Sequence, residues 1–184
     1  MNKLFLYTIL LLVSCSNSID RKSVQISQNQ EEKISDKSSV KFKLIERDGY
    51  WAFNKNNEKL FKVYIFDNGP DRISDGLFRI IDDKSVLIGF ADLEGKIVIP
   101  YQFKRVDSFS EGLAGVCIDC ISEKHENPKV FTKLLKGAFG FINKKGEIVI
   151  KPQFGLISKF EDGRCKVWKD NTQYFINKKG EIID

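Results

Sequence analysis

Histidine and methionine occur once each in this 184-residue chain, and proline and cysteine four times each. A single histidine cannot furnish the imidazole pairs of common metal sites, and His125 stands alone in the polar stretch 123–128. A lone exposed histidine of that kind is inert far more often than catalytic. No Ser-His-Asp set, glycine-rich phosphate loop or histidine–carboxylate cluster can be assembled from the sequence. Long apolar runs are missing as well. The longest covers residues 4–13, half of the roughly 20 residues a bilayer-spanning helix needs. Charge is nearly balanced: 30 Lys and Arg against 25 Asp and Glu, a net charge of +5. The lysines are scattered over turns (Lys144, Lys145, Lys178, Lys179), which reads as solvated turn chemistry and not as a nucleic-acid footprint. Weak attraction to an acidic envelope surface or polyanion is the remaining electrostatic role. The chain is accordingly read as not an enzyme, with no cofactor and no metal.

What the chain does have begins at its N-terminus. Lys3 precedes the apolar run 4–13, and Ser14 and Cys15 follow it. That is the layout of a secretory signal, with a basic start, a short apolar stretch and a small residue before the cut. Leu12-Val13-Ser14-Cys15 resembles the bacterial lipobox. The resemblance implies that residues 1–14 are removed and that Cys15 carries the lipid, with palmitate-class acyl chains. Each buried methylene contributes about 0.8 kcal/mol, so two or three chains hold firmly where one does not. Ser16 in place of Asp is compatible, in the same pattern, with sorting to an outer membrane. Residues 15–39 hold few apolar side chains (Ile19, Val24, Ile26, Ile34) and cannot offset the entropy of ordering. They are read as a disordered tether, and residues 40–184 as one folded domain.

That domain repeats itself. The stretches 139–150 and 174–183 are nearly the same text, and a fixed internal period usually means one supersecondary unit stacked on itself. Gly95 and Gly146 lie 51 apart, and Gly146 and Gly180 lie 34 apart. Acidic-glycine pairs recur at Asp75-Gly76, Glu111-Gly112 and Asp162-Gly163. The period is therefore about 34 to 37 residues, with a 17-residue insertion at 121–137 in one copy. Within a unit the local code is β. Phe139 and Phe141 alternate with Gly140 and Ile142, Asn143-Lys-Lys-Gly146 turns the chain, and Ile148 and Ile150 return. Glycine at the last turn position suits a type I turn with a bulge. Pro152, and Pro100 in the preceding copy, are expected to end the returning strand, since proline cannot donate to a ladder. A third strand follows each acidic-glycine turn. The phenylalanines at equivalent places (90, 103, 109, 141, 154, 160, 175) are expected to pack unit against unit.

These pieces resemble the WG (KWG) repeat family: Trp51-Ala52-Phe53, Phe139-Gly140-Phe141-Ile142-Asn143, Pro152-Gln153-Phe154 and Phe109-Ser110-Glu111-Gly112-Leu113-Ala114. The name-giving Trp-Gly pair is never intact, and Asn57-Glu58 stands where the first unit should have its turn glycine. The resemblance covers about residues 49–184. It implies an all-β fold of tandem three-stranded antiparallel units, about three and a fraction copies, as an open array or a partial propeller-like arrangement. It implies no chemistry, because fold alone does not supply one.

Three cysteines remain after Cys15. Cys117 and Cys120 have the spacing of a local disulfide, of a redox pair or of half a zinc site, and an exported chain meets an oxidising compartment. A redox pair is expected at a helix N-terminus that lowers the thiol pKa, whereas this segment reads as strand and loop. Cys165 aligns with Ala114, as a small buried residue would. A disulfide between Cys117 and Cys120, unpaired thiols, and a metal or redox role all stay open. The leading reading is a lipid-anchored envelope protein whose repeats form a non-enzymatic binding or structural surface. Its partners are the membrane through Cys15 and an envelope or extracellular protein, with self-association and no nucleic acid. The alternative is a thiol-redox or metal-handling envelope lipoprotein that uses Cys117 and Cys120.

Overall fold

The structure, a computed structural model, describes residues 40–122 and 134–184. The signal, Cys15, the tether and His125 lie outside the described residues. Those described form strands and turns only, in several antiparallel sheets.

Four successive units share one plan. The first holds β1 (Lys43–Glu46), β2 (Tyr50–Phe53) and β3 (Lys59–Val63), then a small hairpin of β4 (Ile65–Phe66) and β5 (Gly69–Pro70). The second holds β6 (Leu77–Ile81), β7 (Ile88–Asp92), β8 (Ile97–Phe103) and a short β9 (Arg105–Val106). In the third, β10 (Leu113–Cys117) is followed by the ribbon β11 (Ile121–Ser122) and β12 (Leu134–Lys136). This unit then continues through β13 (Phe139–Asn143), β14 (Ile148–Phe154) and β15 (Leu156–Ile157). The fourth has β16 (Arg164–Lys169) and β17 (Thr172–Asn177), with Ile182 bridging back to Ile176. In each unit a middle strand (β2, β7, β13, β17) pairs with the strand before it and with the returning chain after it. The three-stranded unit expected from the repeat is present.

Each unit hands its chain to the next by strand pairing. β3 pairs with β6, joining the first two units in one six-stranded sheet. β9 pairs with β10, and β15 with β16. The apolar core follows the same logic. One cluster joins Ala52, Phe61 and Val63 to Phe78, Ile80 and Ala91. A second joins Phe90, Ile99 and Phe109 to Ala114, Val116 and Ile142. A third joins Phe141, Ile150 and Phe160 to Cys165, Val167 and Ile176. The core therefore lies at the junctions, and a single unit could not bury its own apolar surface. Phe90 meets Phe109 edge-on at 4.7 Å, and Phe141 meets Phe160 in the same way at 5.0 Å. Such pairs contribute about 0.5–1.5 kcal/mol beyond their burial. Phe175, at the same place in β17, is only half-buried and lies instead against the Arg164 guanidinium at 5.4 Å.

One local expectation needs correction. Proline does not end the returning strand: β8 runs through Pro100 and β14 through Pro152. Both prolines fall where the register of the pair shifts, Phe90↔Ile99 to Ile88↔Phe103 and Phe141↔Ile150 to Phe139↔Phe154. A bulge leaves a residue unpaired, so the missing N–H costs no ladder bond. In the first unit, where Asn57-Glu58 stands for the turn glycine, the structure fixes the alignment. Asn54 occupies the turn place of Asn143, which puts Trp51, and not Ala52, opposite Gly140. Asn57 takes the turn-glycine place with φ 62°.

Candidate functional site

The chemistry-bearing side chains gather at the junctions, where they form a ladder along the array. The turn Asn143–Gly146 shows how it is built. Asn143 Oδ1 accepts from the amides of Lys145 at 2.9 Å and Glu147 at 3.1 Å, and Gly146 has φ 81°. The turn sits on the preceding unit: a Cβ on Gly146 would stand 2.9 Å from Ile99 Cγ2. Gly180 meets Ile150 in the same way, and Gly95 meets Leu60 and Phe42.

The acidic-glycine pairs supply the polar rungs. Asp75, Glu111 and Asp162 all take left-handed backbone, with φ 54°, 52° and 51°. The Gly112 amide donates to Asp75 Oδ2 at 2.6 Å, and the Gly163 amide donates to Glu111 Oε2 at 3.0 Å. Ser74 Oγ donates to the Phe109 carbonyl, and Ser110 Oγ to the Phe160 carbonyl at 2.7 Å. The second residue of the next unit's asparagine turn then reaches back. Lys144 Nζ donates to the Asp75 carbonyl at 2.5 Å, and Lys178 Nζ pairs with Glu111 Oε2 at 2.9 Å. The Lys178 contact, helped by the Gly163 amide, holds the Glu111 pKa below the usual glutamate range against some desolvation. The lysines read from sequence as solvated turn residues are thus partly inter-unit ties.

One buried ion pair interrupts the apolar junctions. Asp71 accepts from Arg79 through both oxygens, at 2.6 Å from Nη2 and 3.0 Å from Nε, and from the Arg79 amide at 2.8 Å. Arg79 Nη1 also donates to the Val106 carbonyl at 3.2 Å, and Tyr64 lies 4.5 Å beneath the guanidinium. Asp107, the counterpart of Asp71 in the next unit, is exposed, although its carboxylate lies over Gly115 beside Ile157. Desolvation there raises its pKa, against the pull of Arg79 and Arg105. Sequence reasoning missed this cluster, because Arg79 falls at a place held by Gly115 and Lys166 in the other units.

Cys117 and Cys120 are joined as a disulfide, with Cα atoms 5.6 Å apart. Cys117 is fully buried on β10, opposite Phe139. The bridge lies at the base of the 121–137 insertion, where Gly137 (φ 113°) packs on the backbone of Asp119 and Cys120. The far part of that insertion is outside the described residues. Cys165 is a free, buried thiol whose sulfur donates to the Ser158 carbonyl at 3.1 Å. Burial raises its pKa, which suits the alanine-like place expected for it. Trp51 donates its indole N–H to the Arg47 carbonyl and is covered by Lys59 at 3.1 Å. Trp168 is half-buried on β16.

A last recurrent feature faces solvent. Ile97 and Val98, Ile148 and Val149, and Ile182 and Ile183 hold equivalent places on the returning strands, and all six are exposed. The first unit has Lys59 and Leu60 there.

Two stretches of the chain, residues 88–119 and 139–172, match the family model of the WG containing repeat. Each match starts on a middle strand and runs into the first strand of the next unit, so each spans one junction. Glu111, Gly112, Lys144 and Gly163 of the ladder fall within these stretches while Asp75, Lys178 and Gly180 fall outside them, and the match suggests a repeat-based binding or structural protein. No curated protein and no solved structure matches the chain.

Proposed function

We propose that this is a lipid-anchored envelope protein, held by Cys15 and probing its surroundings with a non-enzymatic binding face made of WG repeats. The observation that carries this reading is the repeated exposed pair on the returning strands: Ile97-Val98, Ile148-Val149 and Ile182-Ile183. Asp75, Glu111, Lys144, Lys178, Ser74 and Ser110 are engaged in holding units together. Beside the exposed charges of the turns these pairs are apolar, and spaced apolar pairs along an array suit an extended contact with another envelope protein. Residues 1–14 act as the signal in this reading, and the outer membrane is the destination.

The test is capture of the partner from the organism's own envelope by the tagged chain, beside an Ile148→Lys, Val149→Lys variant. Capture that survives the two lysines would overturn the binding face. The thiol-redox alternative draws on the Cys117–Cys120 bridge. A Cys117→Ala, Cys120→Ala variant that still captures the same partner speaks for a structural bridge.

A further inference from the structure

We propose that the outer face of the sheet β1–β2–β3 lies against an anionic membrane surface, so that the first unit orients the array on the bilayer. This contact presupposes the lipid anchor at Cys15, and the experiment below reads the two separately.

Register decides which side chains share the face. Ile45 stands opposite Trp51 and Trp51 opposite Lys62, while in the next row Lys43 stands opposite Phe53 and Phe53 opposite Lys59. Residues directly opposite each other point to the same side of an antiparallel sheet. The alternating residues Leu44, Ala52 and Phe61 take the other side, in or against the junction core. Lys59 Nζ lies 3.1 Å and Lys62 Nζ 5.4 Å from the centre of the Trp51 ring. The ring thus holds two ammonium groups on one sheet face. Lys62 is paired with Asp83 at 2.5 Å. Lys43 donates to the neutral Asn57 side chain, and Lys59 has no carboxylate partner among the described residues. At the rim, a Cβ on Gly49 would stand 2.8 Å from Lys62 Cε and 3.7 Å from Ile65 Cδ1. Ile65 and the next residue, Phe66, are 48% and 50% exposed.

Charge and apolar content together commit the face to a lipid surface. Residues 40–63 hold six Lys and Arg against three Asp and Glu, whereas residues 64–110 hold six against eight. The positive excess of the six-stranded sheet therefore lies in its first unit. Each lysine near an anionic leaflet strengthens association about fivefold. Tryptophan favours the headgroup region, and the exposed Ile65 and Phe66 supply an apolar part that can enter it. A soluble polyanion would use the lysines and leave Ile65 and Phe66 without a role. Tethering through Cys15 raises the local concentration of the surface, so a weak contact suffices.

The experiment uses the lipidated full-length chain with Trp168→Phe, which leaves Trp51 as its one tryptophan. It is reconstituted in vesicles of phosphatidylcholine alone or with phosphatidylglycerol. Acrylamide should quench Trp51 fluorescence less in the anionic vesicles. Salt at about 1 M, where the Debye length is about 3 Å, should abolish the difference. Lys43→Gln and Lys59→Gln should each lower the ratio of shielded to open Trp51 about fivefold. Each variant is compared with itself in neutral vesicles, so a direct effect of Lys59 on the indole cancels. Lys145→Gln with Lys179→Gln, at exposed lysines of other units, should leave the ratio unchanged. Equal quenching in both vesicles overturns the proposal. So does shielding that survives Lys43→Gln with Lys59→Gln, or equal shielding by soluble polygalacturonate. Flotation of the same neutral samples tests the anchor alone. A chain that fails to float there refutes the anchor, while shielding in anionic vesicles still decides the face.

Discussion

Gly140 lies directly under the backbone of Ile150–Pro152. A Cβ on it would overlap the Ile150 carbonyl oxygen and stand 2.7 Å from the Pro152 nitrogen. Gly89 bears the same relation to Ile99 and Pro100. The glycine of the repeat is thus tied to the bulged, proline-bearing strand beside it. The first unit shows the converse, since Trp51 takes that place where β3 pairs with β2 in unbroken register from Tyr50 to Ala52.

Gly140→Ala should therefore destabilise strongly, by about 3 kcal/mol, because backbone and not a movable side chain must give way. Gly112→Ala puts its Cβ in open space at φ 87°, and should cost only the left-handed penalty of about 1–2 kcal/mol. Denaturation midpoints of the two variants decide it. Equal losses would refute the link between glycine and bulge.

In the asparagine turn, Gly146→Val meets both positive φ and Ile99, and should exceed the ordinary point-mutation loss of about 1 kcal/mol. Lys145→Ala, in the same turn and exposed, should stay within about 0.5 kcal/mol. A Gly146→Val protein as stable as the lysine variant would contradict the turn geometry.

Replacing Asp71 with Ala leaves the Arg79 guanidinium buried without its carboxylate. Breaking a buried pair on one side costs about 3–5 kcal/mol, whereas replacing both partners with apolar residues can be nearly neutral. Asp71→Leu with Arg79→Met should thus be markedly more stable than Asp71→Ala in urea titration. The opposite order would mean that the pair itself, and not the avoidance of an unpaired charge, holds the junction.

The Glu111 tie is sensitive to acid. Its folded pKa is depressed by Lys178 and the Gly163 amide, so its contribution is present above the unfolded glutamate value, near ~4.3. That contribution is lost as pH falls through the lower folded value. Stability measured from neutral pH down to about 3 should fall less steeply for Glu111→Gln than for the parent. Parallel curves would remove the carboxylate from the ladder.

Thiol and lipid chemistry can be read in one preparation. After unfolding without reductant, the exported chain should titrate a single thiol, Cys165, since Cys117 and Cys120 are bridged. Three thiols would dissolve the bridge. Fatty-acid label should enter the parent and not Cys15→Ala, and label persisting in that variant would refute the lipid anchor.

Much of the architecture was legible without coordinates, because it rests on local periodicity. Alternating Phe139, Phe141 and Ile148, Ile150 around Asn143–Gly146 specify a hairpin whatever surrounds them, and recurrence of the text specifies the stacking. The acidic-glycine pairs were visible as a repeat, but their use was not. Asp75 acts on Gly112 and Glu111 on Gly163, contacts 37 and 52 residues apart in sequence. Such distances become short only once units have stacked. The prolines misled for a related reason: a missing N–H says that a ladder bond is absent, and only the neighbouring strand decides whether a bulge has made that bond unnecessary. The Arg79–Asp71 pair was hidden because it departs from the repeat, and its burial is set by Val106 and Tyr64 around it. Sequence alone determined the unit and its period through short-range sterics and apolar patterning. Tertiary structure alone decided which polar groups meet across units, because hydrogen bonds need an approach of about 3 Å that no spacing along the chain encodes.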